Sequence, residues 1–285
     1  MMKAAFGKII GVLLFVMLTS SCTTVIVSPL LDPLSLSLQK QTDLDLIEDG
    51  APSLLLLLDG LIASDPDSER LLMTAVKAYG GYATLLHEEG QIERTVHMSG
   101  KAKEYGVRLL KQLPGLENLN DLSLAEIELA LKQIKPKKVG YLFWGAYGWA
   151  TWIQYQNGAP AAMADLPIVE QMMLRVVELD ETYYYGGAHI FLGAYYGSRP
   201  KIFGGKPEAS RKHFERALAI SEREFLLTQV AYAESYARTM FDRELFLKLL
   251  NEVIEEPLKD NEMASSNKMA KVMAEKLLVQ VDDFF

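Results

Sequence analysis

The sequence predicts an all-α protein built of stacked helical hairpins, and three observations lead there. Alternating apolar and polar runs closed by hairpin turns, the mark of half-buried strands, do not occur along the 285 residues. Pro, Gly and Asp instead punctuate the chain at roughly ten- to twenty-residue intervals, with helical periodicity between the breaks. A similar pattern of small and large residues also returns several times in order along the chain, in the manner of arrays of helix pairs whose unit is about 34 residues. The composition, 49% hydrophobic and 23% charged, supplies enough apolar side chain for a substantial core.

In chain order, the reading begins with a leader over 1–21, a tether over 22–46 and a single helical domain over 47–285. Within the domain, helices are expected over Ser53–Ala63, Glu69–Glu88, Val96–Gln112, Leu124–Ile134, Val139–Gln156, Leu166–Leu179, Tyr183–Gly197, Pro207–Ser221, Arg223–Thr239, Arg243–Glu255 and Glu262–Val281. Asp65-Pro66 is a helix-initiating pair before "DSERLL", and Ser123 with Glu126 has the spacing of a capping box.

The repeat matches that of tetratricopeptide arrays in degenerate form, with extra helices. Leu192, Gly193 and Tyr196 fall on the Leu-Gly-x2-Tyr of a first helix, and Ser210, Phe214 and Ala217 on the small, large, small of a second. Tyr232, Ala233 and Tyr236, followed by Leu245, Leu249, Glu252 and Pro257, form the cleanest copy. Earlier copies run through Trp144, Tyr147, Gly148 and Thr151 with Val169, Met173 and Val176, and through Ala102, Gly106, Leu109 and Pro114.

The opening "MMKAAFGKIIGVLLFVMLTSSC" places two lysines before an apolar run, then small residues, then the sole cysteine. That is the layout of an export signal, and Cys22 stands where a bacterial lipoprotein is cleaved and acylated. Removing Lys3 and Lys8 lowers the basic count from 29 to 27 against 37 acidic residues, so the mature charge is −10. Nucleic acid is therefore not an expected ligand. No second thiol remains for a disulfide, a nucleophile or a metal site, and stability has to come from packing. Thr23 after the cysteine, in place of the aspartate linked to inner-membrane retention, favours an outer-membrane anchor.

Two stretches call for a function. "VGYLFWGAYGWATWIQY", Val139 to Tyr155, holds all three tryptophans and no charge, and "YYYGGAHIFLGAYYG", Tyr183 to Gly197, holds five tyrosines and four glycines. A helix apolar on every face is buried all round, and buried phenols need partners for their hydroxyls. Both stretches can be plain core, with glycines allowing close helix contact and rings filling the gaps; the first also has a membrane span as its alternative. In the other reading, Tyr141, Trp144, Trp152, Tyr155, Tyr184, His189, Tyr195 and Tyr196 line a ligand passage, with Arg199 and Arg238 placed to meet an anion.

Catalytic signatures are absent from the sequence. His87, His97, His189 and His213 lack metal-ligand spacing, "FGGKP" lacks phosphate-loop spacing, and no nucleophile elbow occurs. The expectation is a protein without enzyme activity, metal or cofactor, although two carboxylates distant in sequence could still converge.

The runs "YYGGAHIFLGAYY", "GGKPEASRKHFERAL" and "DRELFLKLL", together with "LLLLLDGLIASDPDSERLLMTAVKAYGGYA", resemble the T-component of tetratricopeptide-associated TRAP transporters over about Ser53 to Phe285. This resemblance implies a bacterial periplasmic lipoprotein, anchored through acyl chains on Cys22, that binds the transporter's solute-binding protein. That protein delivers a small hydrophobic or carboxylate solute to an ion-driven permease. The resemblance also implies a homo-oligomer, expected to be a trimer, and a pore or chamber between the helices. A lipoprotein scaffold for envelope assembly, holding extended peptides on the same repeats, is the alternative.

Overall fold

A computed structural model describes residues 32–285; the leader and Cys22 lie outside the described residues. The described residues are 76% helical and include no strand. After a helical stretch over 32–40, thirteen α-helices follow. They are α1 (Leu44–Ser64), α2 (Glu69–Glu88), α3 (Ile92–Leu110), α4 (Leu124–Leu131), α5 (Val139–Gln154), α6 (Pro160–Met163), α7 (Leu166–Asp180), α8 (Tyr183–Gly197), α9 (Pro207–Ile220), α10 (Leu227–Tyr232), α11 (Arg243–Glu255), α12 (Ala264–Val279) and α13 (Val281–Phe284).

The chain folds by nearest-neighbour packing. α1 lies on α2, α2 on α3, α5 on α7, α8 on α9 and α10 on α11. α3 packs as extensively on α5 as on α2, so the succession is continuous rather than a row of separable pairs. The α3–α5 approach depends on residues with little or no side chain, because a Cβ on Gly106 would come within 2.8 Å of the Gly145 carbonyl oxygen.

The last long helix then returns to the first. α12 contacts α1, and Lys276 on α12 donates to the backbone oxygen of Glu88 at the end of α2 and, at 3.1 Å, to its carboxylate. Lys40 pairs with Asp260 at 3.2 Å beside this junction. Met269 of α12 belongs to the larger apolar cluster, which runs from α1 to α8, while Ala270 and Ala274 belong to the smaller one around α10 and α11. The helices thus close into a ring.

Local sequence explains most boundaries. Asp43 caps α1 by accepting from the Leu46 amide, Ser123 and Glu126 form the expected capping box, and Asp242 caps α11 through Leu245. Residues 32–40 and the start of α1 are helical within the stretch expected as a tether. α1 starts nine residues before the expected Ser53, because Pro52 sits inside the helix and does not end it. Burial of Leu55, Leu58 and Ile62 holds that helix together past the missing amide donor.

Two expected helices contain a change of winding. At the start of α8, Tyr184, Tyr185 and Gly186 have φ of 47°, 59° and 75°, a left-handed run within a stretch read as continuous helix. The segment read as Arg223–Thr239 is α10 followed by a π turn over Ala233–Ala237, with the Arg238 amide reaching back to the Ala233 carbonyl at 3.0 Å. None of the described helices is long and apolar enough to cross a membrane; α5 instead packs against α2, α3 and α7.

Candidate functional site

The ring surrounds a partly open cavity of about 1330 Å³. Each wall presents one face. α2 contributes Thr74, Lys77, Ala78, Gly81, Thr84 and Leu85, a stripe at three- and four-residue spacing. α5 contributes Phe143, Trp144, Tyr147 and Thr151, α8 contributes Tyr184, Tyr185, Ile190 and Tyr195, and the π turn contributes Glu234 and Ser235. α1 and α12 complete it with leucine and methionine side chains.

The two unusual windings serve this surface. Adjacent residues of a right-handed helix point about 100° apart, yet both Tyr184 and Tyr185 face the cavity across the left-handed run. A non-glycine residue in that region costs roughly 1–2 kcal/mol. Ring packing supports the bend: Tyr184 lies 4.5 Å from Trp144, edge to face, and Tyr185 stacks on Phe225 at 4.9 Å. Trp144 Nε1 donates to the Tyr183 hydroxyl at 3.1 Å. Burial pushes the phenols of Tyr147 and Tyr184 up, so these rings stay neutral.

Of the residues singled out in the sequence, Trp144, Tyr155, Tyr184, Tyr195 and Arg238 line the cavity. The other five stand elsewhere. Tyr141 is on α5 beneath the Lys138 ammonium, 4.3 Å from its ring. Trp152 carries the Lys103 ammonium 3.4 Å over its ring, on the α3–α5 side. Tyr196 donates to Glu170 at 2.6 Å, and Arg199 sits over the Tyr195 ring at 5.1 Å without reaching the cavity. Arg238 does face the cavity, but it is paired with Glu234 at 3.7 Å and lies over Phe284.

His189 is buried on the side of α8 that meets α9. Its Nδ1 lies 2.8 Å from Nδ1 of His213, and its Nε2 lies 3.3 Å from Glu181, which also binds Arg216. The neutral arrangement that satisfies every contact has His213 Nδ1–H donating to His189 and His189 Nε2–H donating to Glu181. Burial lowers both imidazoles, with the neighbouring His189 lowering His213 further, to about 4. Between about 4 and the ordinary value of 6.5, the unfolded chain therefore binds a proton at this position that the folded chain does not. The melting temperature should fall as pH drops through that window. His213→Gln should flatten the dependence; an unchanged slope in a thermal-melt series would contradict it.

Lys77 was not singled out in the sequence. Its Nζ lies 4.6 Å from the centroid of the Trp144 ring, and no hydrogen-bond or ion-pair partner faces it among the described residues. Burial lowers its pKa, while Glu262, beyond ion-pair distance, acts the other way. One signal could have found it: a lysine flanked by Val76 and Ala78, three residues after Thr74 and four before Gly81, on the stripe of small residues. Among the described residues, no group of three or more His, Cys, Asp or Glu side chains is placed to hold a metal ion. The arrangement suits binding: an apolar, aromatic-walled hollow with a few polar groups that fix orientation.

Comparison with known families agrees with a role in transport. The family model described as the TRAP transporter T-component matches residues 40–285. No curated protein matches the chain.

Proposed function

The chain belongs to the TRAP transporter T-component family, and from that premise we propose that it is a lipid-anchored periplasmic accessory subunit that docks the solute-binding protein and offers a hydrophobic passage to a small organic acid. The accessory role in a TRAP transporter follows from the family. The passage is supported above all by one observation, the ring of helices around an aromatic-walled cavity of about 1330 Å³. That is larger than most small-ligand sites, roughly 300–1,000 Å³, and leaves room for an elongated solute. No step of bond chemistry is required of it.

Docking is tested by sedimentation of the tagged protein with its cognate solute-binding subunit. A complex is expected, and two independent boundaries at roughly tens of micromolar would remove the docking claim. Anchoring is tested separately. Cys22→Ser should shift the protein from the membrane to the soluble fraction and abolish labelling by a radioactive fatty acid, since two or more acyl chains are needed for stable attachment. Persistence of the variant in the membrane fraction would contradict acylation at this position.

A further inference from the structure

We propose that Lys77 is the anion receptor of the central cavity, and that the solute it selects is an amphiphilic monocarboxylate whose apolar body lies along Trp144 and Tyr184. This deepens the passage reading above and rests on it. The argument starts from charge matching. Three cations line the cavity, and two are already matched: Lys276 with Glu88, and Arg238 with Glu234. Among the described residues Lys77 alone of the three has no carboxylate within ion-pair distance; Glu262, which also lines the cavity, acts on it only from farther away. Its ammonium rests over an indole face at 4.6 Å, which offsets part of the lost hydration but accepts none of its three N–H bonds.

A carboxylate arriving through the cavity would accept those bonds in a partly desolvated setting, where a charge-assisted hydrogen bond is strongest. The surroundings then set the rest of the ligand. Ala78, Gly81 and Leu85 follow Lys77 along α2, Trp144 lies under its ammonium and Tyr184 packs on Trp144, so an apolar segment next to the carboxylate matches these walls. A single cation without a direct partner also argues against a dicarboxylate, because its second charge would be buried beside Glu88, Glu234 and Glu262 or among rings.

The test uses decanoate, the neutral decanol of equal chain length, and the dianion decanedioate. Each is titrated below its micelle concentration and followed by tryptophan fluorescence and calorimetry. The wild-type protein should bind decanoate at least about tenfold more tightly than decanol or decanedioate. Lys77→Met, which keeps the length and the apolar stem, should lose that preference while binding decanol within about twofold of wild type, which also reports an intact cavity. Lys77→Arg should retain the preference for the anion. Equal binding of decanoate by wild type and Lys77→Met, with decanol bound by both, would overturn the role of Lys77 and leave the passage standing. Failure of both decanoate and decanol to bind the wild-type protein would overturn this inference together with the passage itself.

Discussion

Gly148→Val is expected to destabilise the protein by on the order of 3 kcal/mol and to lower its melting temperature by roughly 6–12 °C. The cause is the closeness of α3 and α5. A Cβ built on Gly148 falls on the carbonyl oxygen of Ala102, and one on Gly145 falls on the Leu110 side chain. The first clash is with backbone, which no rotamer change can relieve, so the two helices have to separate. Separation would also disturb the Lys103 and Trp149 contacts to Asp165, at 3.1 and 2.8 Å, which tie α3 and α5 to the start of α7. Gly60→Ala on α1 is the matched control. Its added methyl meets nothing within 4 Å, and the helix there gains by up to about 1 kcal/mol. Urea denaturation of the three proteins decides the matter: a Gly148→Val midpoint equal to wild type would mean that the helices do not approach this closely.

Asp59→Ala carries the second large effect, about 3 kcal/mol. Asp59 Oδ1 accepts hydrogen bonds from the hydroxyls of Tyr79 on α2 and Tyr105 on α3, at 2.9 and 2.5 Å. One carboxylate therefore holds three helices in register, and its removal leaves two phenols of buried tyrosines without an acceptor. Burial and the Asp59 hydrogen bond push both phenols up, so both remain donors at neutral pH. Tyr79→Phe and Tyr105→Phe should each cost about half as much, and a double-mutant cycle should return a coupling energy for each pair. If Asp59→Ala unfolds at the wild-type urea concentration, α1 is held by its other contacts, chiefly buried Leu55, Leu58 and Ile62.

The sequence and the structure agree where the evidence is local. Ser123 and Glu126 capped a helix as read, Pro207 opened α9, and the all-α character followed from punctuation and periodicity. Disagreement arises where a local pattern has two physical outcomes. "YYYGG" is compatible with an ordinary helix start, and only packing of Tyr184 and Tyr185 against Trp144 and Phe225 makes the left-handed run worth its strain. The π turn after Tyr232 inserts one residue without any Gly or Pro to announce it. Pro52 read as a boundary, since propensity cannot weigh a missing hydrogen bond against three buried leucine and isoleucine side chains.

The candidate site was legible in part for a similar reason. Rings attract notice in a sequence, so Trp144, Tyr155, Tyr184 and Tyr195 were found, but Trp152, His189 and Tyr196 sit on faces that meet neighbouring helices. Which face of an all-apolar helix looks inward depends on its neighbours, not on its own composition. Lys77 was passed over because a lysine in a helix usually lies on the solvated side, and only the closed arrangement of walls turns that position inward.

The junction of α12 with α1 and α2 has a mechanical meaning. A coil with loose ends can stretch or uncoil to admit cargo sideways, whereas a hoop of fixed circumference cannot. With Lys276 fastened to Glu88, 188 positions away, a passage of the kind proposed would run along the axis and cross a rim. A docked subunit would then act as a stopper or a funnel on that rim, and it would govern passage without moving any stave of the barrel.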